Sequence, residues 1–485
     1  MSYLELLQLA SPEAIVVVTA LVVLALGLTK REGTIATASL VAALGLAIAT
    51  VAVLKLPPHA NPFHGMLVLS PLNSLFKVIC LVLAFFTVLL ARDDRAARHH
   101  GEYLALILFA TIGLLLLVGS EELLMIFIGL ELTGLSLYVM TAFDRRDQRS
   151  AEAGLKYFLF GSMASAFTLF GLSFIYGLTG STELAVIAQK LGTPPIQPLL
   201  AAGIVMTLIG FAFKVAAAPF HLWAPDAYQG APVPTAAFIA SGSKVASFVV
   251  LGKIALTGFG PLHGSADWHA VVAGWSPLLA VLAALSILLG NLVALAQRNV
   301  RRLLAYSAVA HAGYTLLGLV AGGREGFSAT LFYTTIYAIT LVGAFGVVAV
   351  VRRTTGGDDF SNFAGLRARS PLLAGCMAIF MLSLAGLPPL AGFFGKFYLF
   401  SVALRSGENH GLLWLVALAL FGSLISLYYY LLVLKVIFVD ATQAGDATIT
   451  PGVLQRVSLG VLAAGIIVLG VIPGALVARI ATALQ

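Results

Sequence analysis

Residues 214–232 read KVAAAPFHLWAPDAYQGAP and interrupt one of the most apolar parts of the chain. The stretch contains Lys214, His221 and the prolines Pro219 and Pro225. Proline removes a backbone hydrogen bond and clashes with the preceding turn, so in lipid the freed carbonyl groups need other partners. We therefore expect a broken helix at 216–225 that is buried in protein or lined by water.

The composition of the whole chain indicates an integral membrane protein. Of its 485 residues, 60% are hydrophobic and 10% are charged, and the mean hydropathy is +1.00, far above that of soluble globular chains. The net charge of +7 comes from Lys and Arg scattered between apolar segments, which argues against a nucleic-acid surface. Cys80 and Cys376 lie in different apolar segments and form no ligand cluster, so no iron–sulfur or zinc site is expected.

Fourteen segments are long enough to cross the hydrocarbon core, which takes about 20 apolar residues as a helix. The first should remain as a helix, because Glu5 and Glu13 precede it where a secretion signal would carry basic residues. The predicted spans lie near 13–29, 34–54, 71–91, 103–119, 121–142, 151–177, 198–219, 232–257, 275–297, 300–321, 327–351, 371–404, 412–438 and 453–480.

The Lys and Arg residues between these spans are unevenly distributed. One set of alternate loops holds Lys30, Arg31, Arg92, Arg95, Arg98, Arg145, Arg146, Arg149, Arg298, Arg301, Arg302, Arg352, Arg353, Arg367, Arg369 and Arg456. The other set holds only Lys55, Lys190, Arg324, Arg405 and Arg479. Because cytoplasmic loops carry the excess of Lys and Arg, both termini are predicted to be periplasmic.

The remaining cations all lie inside predicted spans, and all are lysines: Lys77, Lys156, Lys214, Lys244, Lys253, Lys396 and Lys435. Lysine can lose its proton when desolvated, whereas arginine effectively cannot. For Lys77, Lys253 and Lys435 we expect the ammonium group to reach the membrane interface. Lys156 can instead pair with Glu152, which lies four residues earlier in the favoured order.

Two ionisable residues of the first half lie near the middle of a span. Glu131, in MIFIGLELTGLSLYV, is too far from either end to reach water easily, although an inert, protonated glutamate remains an alternative. Lys244 has Ser241 and Ser247 three residues away on either side, which predicts a hydrated helical face around its ammonium group.

A second broken helix is predicted at 382–393, LSLAGLPPLAGF, and Lys396 follows it. The two broken segments lie five spans apart, and a unit of five spans reverses its orientation when it is repeated. Spans four to eight and spans nine to thirteen are therefore predicted to form an inverted repeat. Glu131 lies in the second helix of the first unit, and His311 lies in the second helix of the second unit. For His311, simple hydrogen bonding to its neighbours is the alternative.

The predicted fold is an all-α polytopic membrane protein with about 14 transmembrane helices and two inverted five-helix repeats, each containing a discontinuous helix. Matched broken helices in such repeats usually mark an ion or substrate path near mid-membrane. The expected divisions are an N-terminal three-helix segment, the first repeat, the second repeat and a C-terminal helix, at 1–102, 103–258, 275–438 and 453–485.

Five motifs carry a resemblance to a known family: GLELTGLSLY (129–138), AEAGLKYF (151–158), FKVAAAPFHLWAPDAYQGAPVPTAAFIASGSK (213–244), NVRRLLAYSAVAHAGY (299–314) and LAGLPPLAGFFGKFY (384–398). Together with the fourteen spans, they closely resemble the antiporter-like subunits of proton-pumping NADH–quinone oxidoreductase, respiratory complex I. Subunit N is the most similar, because subunit L has a long amphipathic C-terminal extension whereas this chain ends at Gln485. Subunit M typically has Glu at the position of Lys396.

This resemblance implies that protons move along a set of side chains that here are Glu131, Lys156, Lys214, Lys244, His311 and Lys396. Lys214 would be the central carrier, its protonation controlled by a paired Glu131, and Lys156 would have lesser weight. Lys244 would connect to His311, and Lys396 would be the terminal lysine. Arg301 stands where the family leads us to expect Lys, which suits a fixed charge better than a titrating group.

The resemblance also implies the partners and cofactors. NADH, FMN, iron–sulfur clusters and quinone would bind in other subunits and none in this chain, with subunits K and M as neighbours in the bacterial inner membrane.

Two other functions remain open, a stand-alone cation/proton antiporter and a passive scaffold. Sodium transport usually needs several carboxylates or carbonyls around the ion, and Glu131 is the only central carboxylate; a scaffold would not need five central ionisable residues.

Overall fold

The computed structural model describes residues 3–29, 34–94, 99–192, 196–407, 410–441 and 448–485. Within these ranges the chain is helical and forms no β-strand, only isolated bridges. Eleven of the described helices are long and apolar enough to cross a bilayer, or twelve if one bent pair near the N-terminus counts as a single span. The chain is therefore an all-α, multi-pass membrane protein.

The helices of the first half are short at the N-terminus and around the first break and long elsewhere. They are α1 (Tyr3–Leu9), α2 (Ser11–Gly27), α3 (Thr34–Lys55), α4 (Pro71–Ala91), α5 (His100–Gly119), α6 (Leu123–Thr141), α7 (Gln148–Thr179), α8 (Leu184–Lys190), α9 (Pro198–Lys214), α10 (Trp223–Gly230), α11 (Val233–Phe238) and α12 (Lys244–Lys253). The π-helical turn Ile239–Ser243 joins α11 to α12, and a second turn, Ile254–Gly258, follows α12, so that Val233–Gly258 forms one continuous helical span.

The second half contains α13 (Trp275–Leu295), α14 (Val300–Ala321), α15 (Gly323–Thr355), α16 (Leu366–Arg369), α17 (Pro371–Ala385), α18 (Ala391–Arg405), α19 (Leu413–Phe438), α20 (Val453–Val471) and α21 (Gly474–Ala483). Each of the fourteen predicted spans overlaps one of the helices or a divided pair. The last prediction, 453–480, is wrong as a single helix, because α20 ends at Val471 and Pro473 precedes α21.

Both predicted breaks are present. The first lies between the end of α9 at Lys214 and the start of α10 at Trp223, and it contains Pro219. The second lies between the end of α17 at Ala385 and the start of α18 at Ala391, and it contains two prolines. The bonds Ala218–Pro219 and Pro388–Pro389 are cis.

Backbone groups at the first break form hydrogen bonds with side chains. The backbone N–H of Ala218 donates to Oγ of Ser286 in α13 at 2.8 Å. The indole N–H of Trp223 donates to the carbonyl of Phe213 at 3.1 Å. These contacts replace bonds that a continuous helix would make, which is what permits irregular backbone inside a membrane protein.

The broken segments lie against a strongly buried group of helices. Almost all residues in the apolar 18-residue windows of Val233–Gly258, Val300–Ala321 and Gly323–Thr355 are buried, whereas only a third of those in the window of α7 are, and α7 exposes many apolar side chains. Small residues bring helices together: Gly113 of α5 faces the backbone of Gly129, and Gly290 of α13 faces the backbone of Ala310. The core thus surrounds α14 and α15.

Four of the loop cations that predict the orientation of the chain in the membrane, Lys30, Arg31, Arg95 and Arg98, lie outside the described residues. The periplasmic position of the termini therefore stays a prediction, as do the boundaries of the two repeats. One feature agrees with the repeats: α7 and α15, the third helix of each, have similar lengths of 32 and 33 residues.

Two of the three lysines that we expected at the membrane interface are buried instead. Lys77 is 1% exposed and forms an ion pair with Glu13 at 2.6 Å. Lys253 is 3% exposed and donates to Oδ1 of Asn73 at 2.5 Å and to the carbonyl of Val118 at 2.8 Å. Both contacts use acceptors from other helices, which the sequence pattern does not reveal. The third lysine, Lys435, has an exposed side chain, and its position at the membrane interface stays a prediction.

Candidate functional site

Glu131 of α6 and Lys214 of α9 line one small cavity of about 20 Å³. Ser165 of α7 donates a hydrogen bond to Oε1 of Glu131. The ammonium nitrogen of Lys214 lies 3.5 Å from the carbonyl oxygen of Leu130 and 6.0 Å from the ring centre of Tyr138. Glu131 and Lys214 are not among the ion pairs within 4.0 Å in the described part of the chain. The cavity can hold one water between them.

The end of α9 places Lys214 against a glycine of α6. Lys214 is the last residue before the break and is 6% exposed. A Cβ atom on Gly134 would lie only 3.2 Å from its ammonium nitrogen. A side chain at that position would therefore compete with Lys214 for the same space, and glycine leaves the space to the ammonium group.

Lys244 is the first residue of α12, directly after a π-helical turn. Its ammonium group donates to the carbonyl of Ala308 at 2.6 Å and lies 5.3 Å from the ring centre of Tyr337. The hydroxyls of Ser241 and Ser247 donate to carbonyls of their own helical path instead. Serine in a helix readily satisfies its hydroxyl at the carbonyl four residues earlier, and the hydrated face around Lys244 stays a prediction.

His311 of α14 is held between two tyrosine hydroxyls. Its Nδ1 lies 2.7 Å from Oη of Tyr333, and its Nε2 lies 3.0 Å from Oη of Tyr430. Tyr430 also bonds the hydroxyl of Ser307, one turn earlier on α14. A neutral imidazole has one donor and one acceptor nitrogen, so one tyrosine accepts a hydrogen bond from the ring while the other donates one.

Lys396 of α18 reaches back across the second break. Its ammonium group donates to the carbonyl of Ala385, the last residue of α17, at 3.0 Å, and to the hydroxyl of Ser423 at 2.9 Å. The free carbonyls at a helix C-terminus attract a cation. The ring of Tyr314 lies 5.3 Å from the same nitrogen. Lys396 is thus stabilised by freed backbone, as the predicted break suggested.

Two helices connect these groups. Lys244 contacts the carbonyl of Ala308, which is one turn from His311 on α14. On α19, Tyr430 contacts His311, and Ser423, two turns away, contacts Lys396. Lys244, His311 and Lys396 are therefore joined through adjoining positions on α14 and α19, while Lys214 lies with Glu131 beside α6.

We refer to Lys214, Lys244, His311 and Lys396 as the buried row. Lys156 lies apart from it. Its side chain is 40% exposed and forms ion pairs with Glu152 at 2.6 Å and with Asp226 at 2.8 Å. Asp226 also binds Arg302 at 2.8 Å. The ion pair with Glu152 that sequence spacing predicted is present. Asp226 of α10 connects α7 and α14 through its ion pairs with Lys156 and Arg302.

Arg301 has the contacts of a fixed charge. It is 2% exposed, forms an ion pair with Asp358 and donates to the carbonyl of Ala231 at 2.7 Å. It therefore links the start of α14 to the loop after α10.

Cys80 and Cys376 are buried free thiols on α4 and α17. The described residues include no group of three or more His, Cys, Asp or Glu side chains placed to hold a metal ion.

Sequence reasoning missed the hydroxyl groups around the ionisable residues. The hydroxyls are those of Ser165, Tyr333, Ser423 and Tyr430, and the rings of Tyr138, Tyr314 and Tyr337 lie against the buried lysines. Tyrosine is common in apolar spans and attracts no notice there. The spacing of Tyr333 and Tyr337, one turn apart on a single helix, was the available signal.

Residues 120–426, which include Glu131 and all of the buried row, match the family model described as NADH:quinone oxidoreductase/Mrp antiporter, TM. The chain belongs to this family. Among similar proteins, NADH-quinone oxidoreductase subunit N 2 of Acidobacterium capsulatum is 46% identical, with 98% of both chains covered. Subunit N of Moorella thermoacetica is 39% identical, with 96% of both chains covered.

Solved structures of other membrane complexes contain chains with the same fold. A chain of respiratory complex I from Thermus thermophilus is 34% identical, with a TM-score of 0.80 over 96% of this chain and 98% of that chain. A chain of the Mrp complex from Dietzia sp. has a TM-score of 0.82 at 21% identity, over 99% and 97% of the two chains, and shows the fold alone. The predicted resemblance to complex I antiporter-like subunits is confirmed.

Proposed function

We propose that this chain is the N-type membrane-arm subunit of an NADH–quinone oxidoreductase and that it translocates protons. The names of its relatives support the first part of the proposal. The single observation that carries the second part is the buried row Lys214, Lys244, His311 and Lys396, with Glu131 beside its first member.

The physical argument starts from the cost of buried charge. An ionised lysine at mid-membrane costs at least about 2.5–3.5 kcal/mol, so such residues are rarely retained without a role. In this chain the ammonium groups contact backbone carbonyls and hydroxyls instead of carboxylates: Ala308 for Lys244, and Ala385 and Ser423 for Lys396. Neutral partners tolerate both the charged and the neutral amine, which suits groups that bind and release protons.

The signal that drives proton movement would enter at Glu131. This carboxylate is half-buried and shares its cavity with Lys214 without forming a direct ion pair within 4.0 Å. A change in charge or position near Glu131, caused by quinone reduction elsewhere, would alter its attraction for the Lys214 ammonium group. Because the sites interact, their protonation would change as a coupled set.

The remaining details of the proposal follow from membership of such a complex. The chain would act as part of a translocase, with NADH, FMN, iron–sulfur clusters and quinone bound by partner subunits. Subunits K and M would be its neighbours in the bacterial inner membrane, and its termini would face the periplasm. The proposed path runs through the two repeats, 103–258 and 275–438.

Replacing Lys214 by Met tests the function directly. The substitution keeps the length of the side chain but removes the proton-binding group, so proton pumping in inverted membrane vesicles should be abolished. NADH oxidation and quinone reduction, followed in parallel, should fall with it because the steps are coupled. A native gel checks assembly, and Lys435→Met is the matched control because the side chain of Lys435 is 61% exposed. Normal pumping by an assembled Lys214→Met complex would contradict the proposal.

A stand-alone cation/proton antiporter is the alternative, and the fold is shared with the Mrp complex. The two functions differ in what drives proton movement. Sodium-driven proton movement by the isolated chain in vesicles, without NADH or quinone, would favour the antiporter. Proton movement that requires NADH oxidation supports the oxidoreductase.

A further inference from the structure

A groove of about 470 Å³ opens between α2, α5 and α6, near the end of α2, the start of α5 and the end of α6. On α5 it is lined by Glu102, Leu106 and Phe109, which recur every three or four residues along one face of the helix. Leu24 of α2 and Val139 of α6 also line it. The volume is in the range of small-molecule sites, about 300–1,000 Å³, and no member of the buried row contributes to it.

The lining along the helices is apolar and extends through about half of a bilayer. Leu106 and Phe109 are partly buried and Val139 is 54% exposed, so the groove is open to the exterior of the chain. From His99 to Phe109, α5 rises by about 15 Å, whereas the whole hydrocarbon core is about 30 Å thick. The groove therefore has the depth of a single leaflet.

Three ionisable side chains lie at the end of the groove where α5 begins. His99 and Glu102 belong to the start of α5, and Arg145 lies in the turn after α6. Nδ1 of His99 lies 3.7 Å from Oε1 of Glu102, and the two side chains are 63% and 47% exposed. Arg145 is exposed and forms no ion pair within 4.0 Å among the described residues. One end of an otherwise apolar groove thus offers a guanidinium donor and a carboxylate acceptor.

We propose that the groove binds one molecule of phosphatidylethanolamine, a phospholipid with a phosphate and a primary ammonium in its headgroup. The phosphate accepts hydrogen bonds from the guanidinium of Arg145, whose planar set of donors matches phosphate oxygens. The ammonium donates to the carboxylate of Glu102, and an acyl chain lies along Leu106, Phe109 and Val139. The lipid belongs to the leaflet that the loop cations predict to be cytoplasmic. This site does not depend on the proposed proton path.

The charges at the polar end favour this headgroup over an anionic one. Arg145 and Glu102 carry opposite charges, so a headgroup that itself carries both charges can pair with each of them. A headgroup with only a negative charge would face the carboxylate and offer it no partner. Charged groups that are left unpaired next to hydrocarbon are costly.

The depth of the groove favours a lipid over a helix from another subunit. A transmembrane helix crosses both leaflets, whereas the groove extends over one. Two of its walls are also fixed relative to each other, because α2 and α5 are in backbone contact: a Cβ atom on Gly27 would lie only 2.7 Å from Cα of Gly101. A firm groove of one leaflet's depth, apolar along its length and charged at one end, matches the shape and polarity of a single phospholipid.

Arg145→Gln tests the contact with the headgroup. The assembled complex is placed in nanodiscs of equal parts phosphatidylethanolamine and phosphatidylglycerol, extracted with detergent, and analysed by mass spectrometry for the lipids that it retains. The wild type should keep one more phosphatidylethanolamine than Arg145→Gln, whose retention of that lipid should be about tenfold weaker after loss of a charge-assisted hydrogen bond. Arg146→Gln is the matched control, because it removes the same charge from the next residue, which is exposed and lines a different cavity. Equal retention by the two variants overturns the proposal.

Val139→Trp tests the contact with the acyl chain, because the larger side chain fills the groove. Val461→Trp on α20 is the matched control, since Val461 is 53% exposed and Val139 is 54% exposed. Val139→Trp should lose the retained lipid and Val461→Trp should keep it, and a native gel checks that both complexes assemble. Undiminished retention by Val139→Trp would contradict the proposal. Because the measurement counts lipid and not protons, a failure of the proposed proton path leaves its outcome unchanged.

A cryo-electron microscopy map of the wild-type complex in the same nanodiscs locates the lipid without any substitution. Density for an acyl chain should follow Leu106 and Phe109, with the phosphate within hydrogen-bond distance of the Arg145 guanidinium. A helix of another subunit in the groove, or a groove without density, overturns the proposal. Selective retention of phosphatidylglycerol in the mass spectra overturns the assignment of the headgroup.

Discussion

At the scale of single residues, space and partners decide what each ionisable group can do. Lys214 is accommodated because Gly134 lies opposite its ammonium group, and Lys396 is accommodated because the carbonyl of Ala385 is free at the end of α17. These are steric and electrostatic conditions set by a second helix, so each depends on residues distant in sequence.

Gly134→Val should displace the Lys214 ammonium group, because even a Cβ atom there would lie 3.2 Å from the nitrogen. We expect proton pumping and the coupled quinone reduction to fall severalfold together, with the complex still assembled. Gly177→Val on α7 is the control, since a Cβ atom at Gly177 meets nothing within 4 Å. Both variants change helix propensity in the same way. Equal pumping by the two would show that Lys214 does not need this space.

The sequence identified the charged members of the site but not their partners. Glu131, Lys214 and Lys396 stand out because a charge in an apolar span is costly and rare. Tyr333 and Tyr430, which hold His311, do not stand out because aromatic residues are common in such spans. Their importance depends on which helices pack together, and a single sequence does not contain that information.

At the scale of elements, the two broken helices were predictable because proline has a local and unavoidable effect on the backbone. The π-helical turn before Lys244 and the short α8 were not predicted. Both depend on how α11, α12 and the helices around them pack. Local chemistry therefore located the breaks, whereas tertiary packing determined how each helix is reshaped around them.

Ser286→Ala should weaken the first break. It removes the acceptor for the backbone N–H of Ala218, and an unpaired buried donor costs about 1–3 kcal/mol. The assembled complex should therefore lose activity at a lower temperature in a heating series. Ser173→Ala is the matched control, because the exposed Ser173 hydroxyl donates to the carbonyl of Phe170 in its own helix. An unchanged heating profile for Ser286→Ala would mean that another group satisfies the Ala218 N–H.

At the scale of the whole molecule, buried lysines join the N-terminal helices to one another and to the first predicted repeat. Lys77 of α4 pairs with Glu13 of α2, and Lys253 of α12 bonds to Asn73 of α4 and to the end of α5. These lysines lie away from the row formed by Lys214, Lys244 and Lys396. Their contacts indicate a role in assembly of the chain.

Lys77→Met should destabilise the chain by about 3–5 kcal/mol, because it leaves the carboxylate of Glu13 buried without its partner. The double variant Lys77→Met/Glu13→Leu should recover most of that loss, since it removes both charges. The amount of assembled complex in membranes, compared by native gel, measures both effects. Equal losses in the single and double variants would show that packing, and not charge, accounts for the damage.

The position of His311 between two hydroxyls has a consequence for the order of events. A proton that enters at Nδ1 and leaves at Nε2 reverses the direction of every hydrogen bond from Tyr333 through the ring to Tyr430 and Ser307. The same chain cannot conduct again in that direction until its hydroxyls have turned back. On the proposed proton path, the hydroxyls would have to turn back after each transfer, so His311 would pass one proton per cycle.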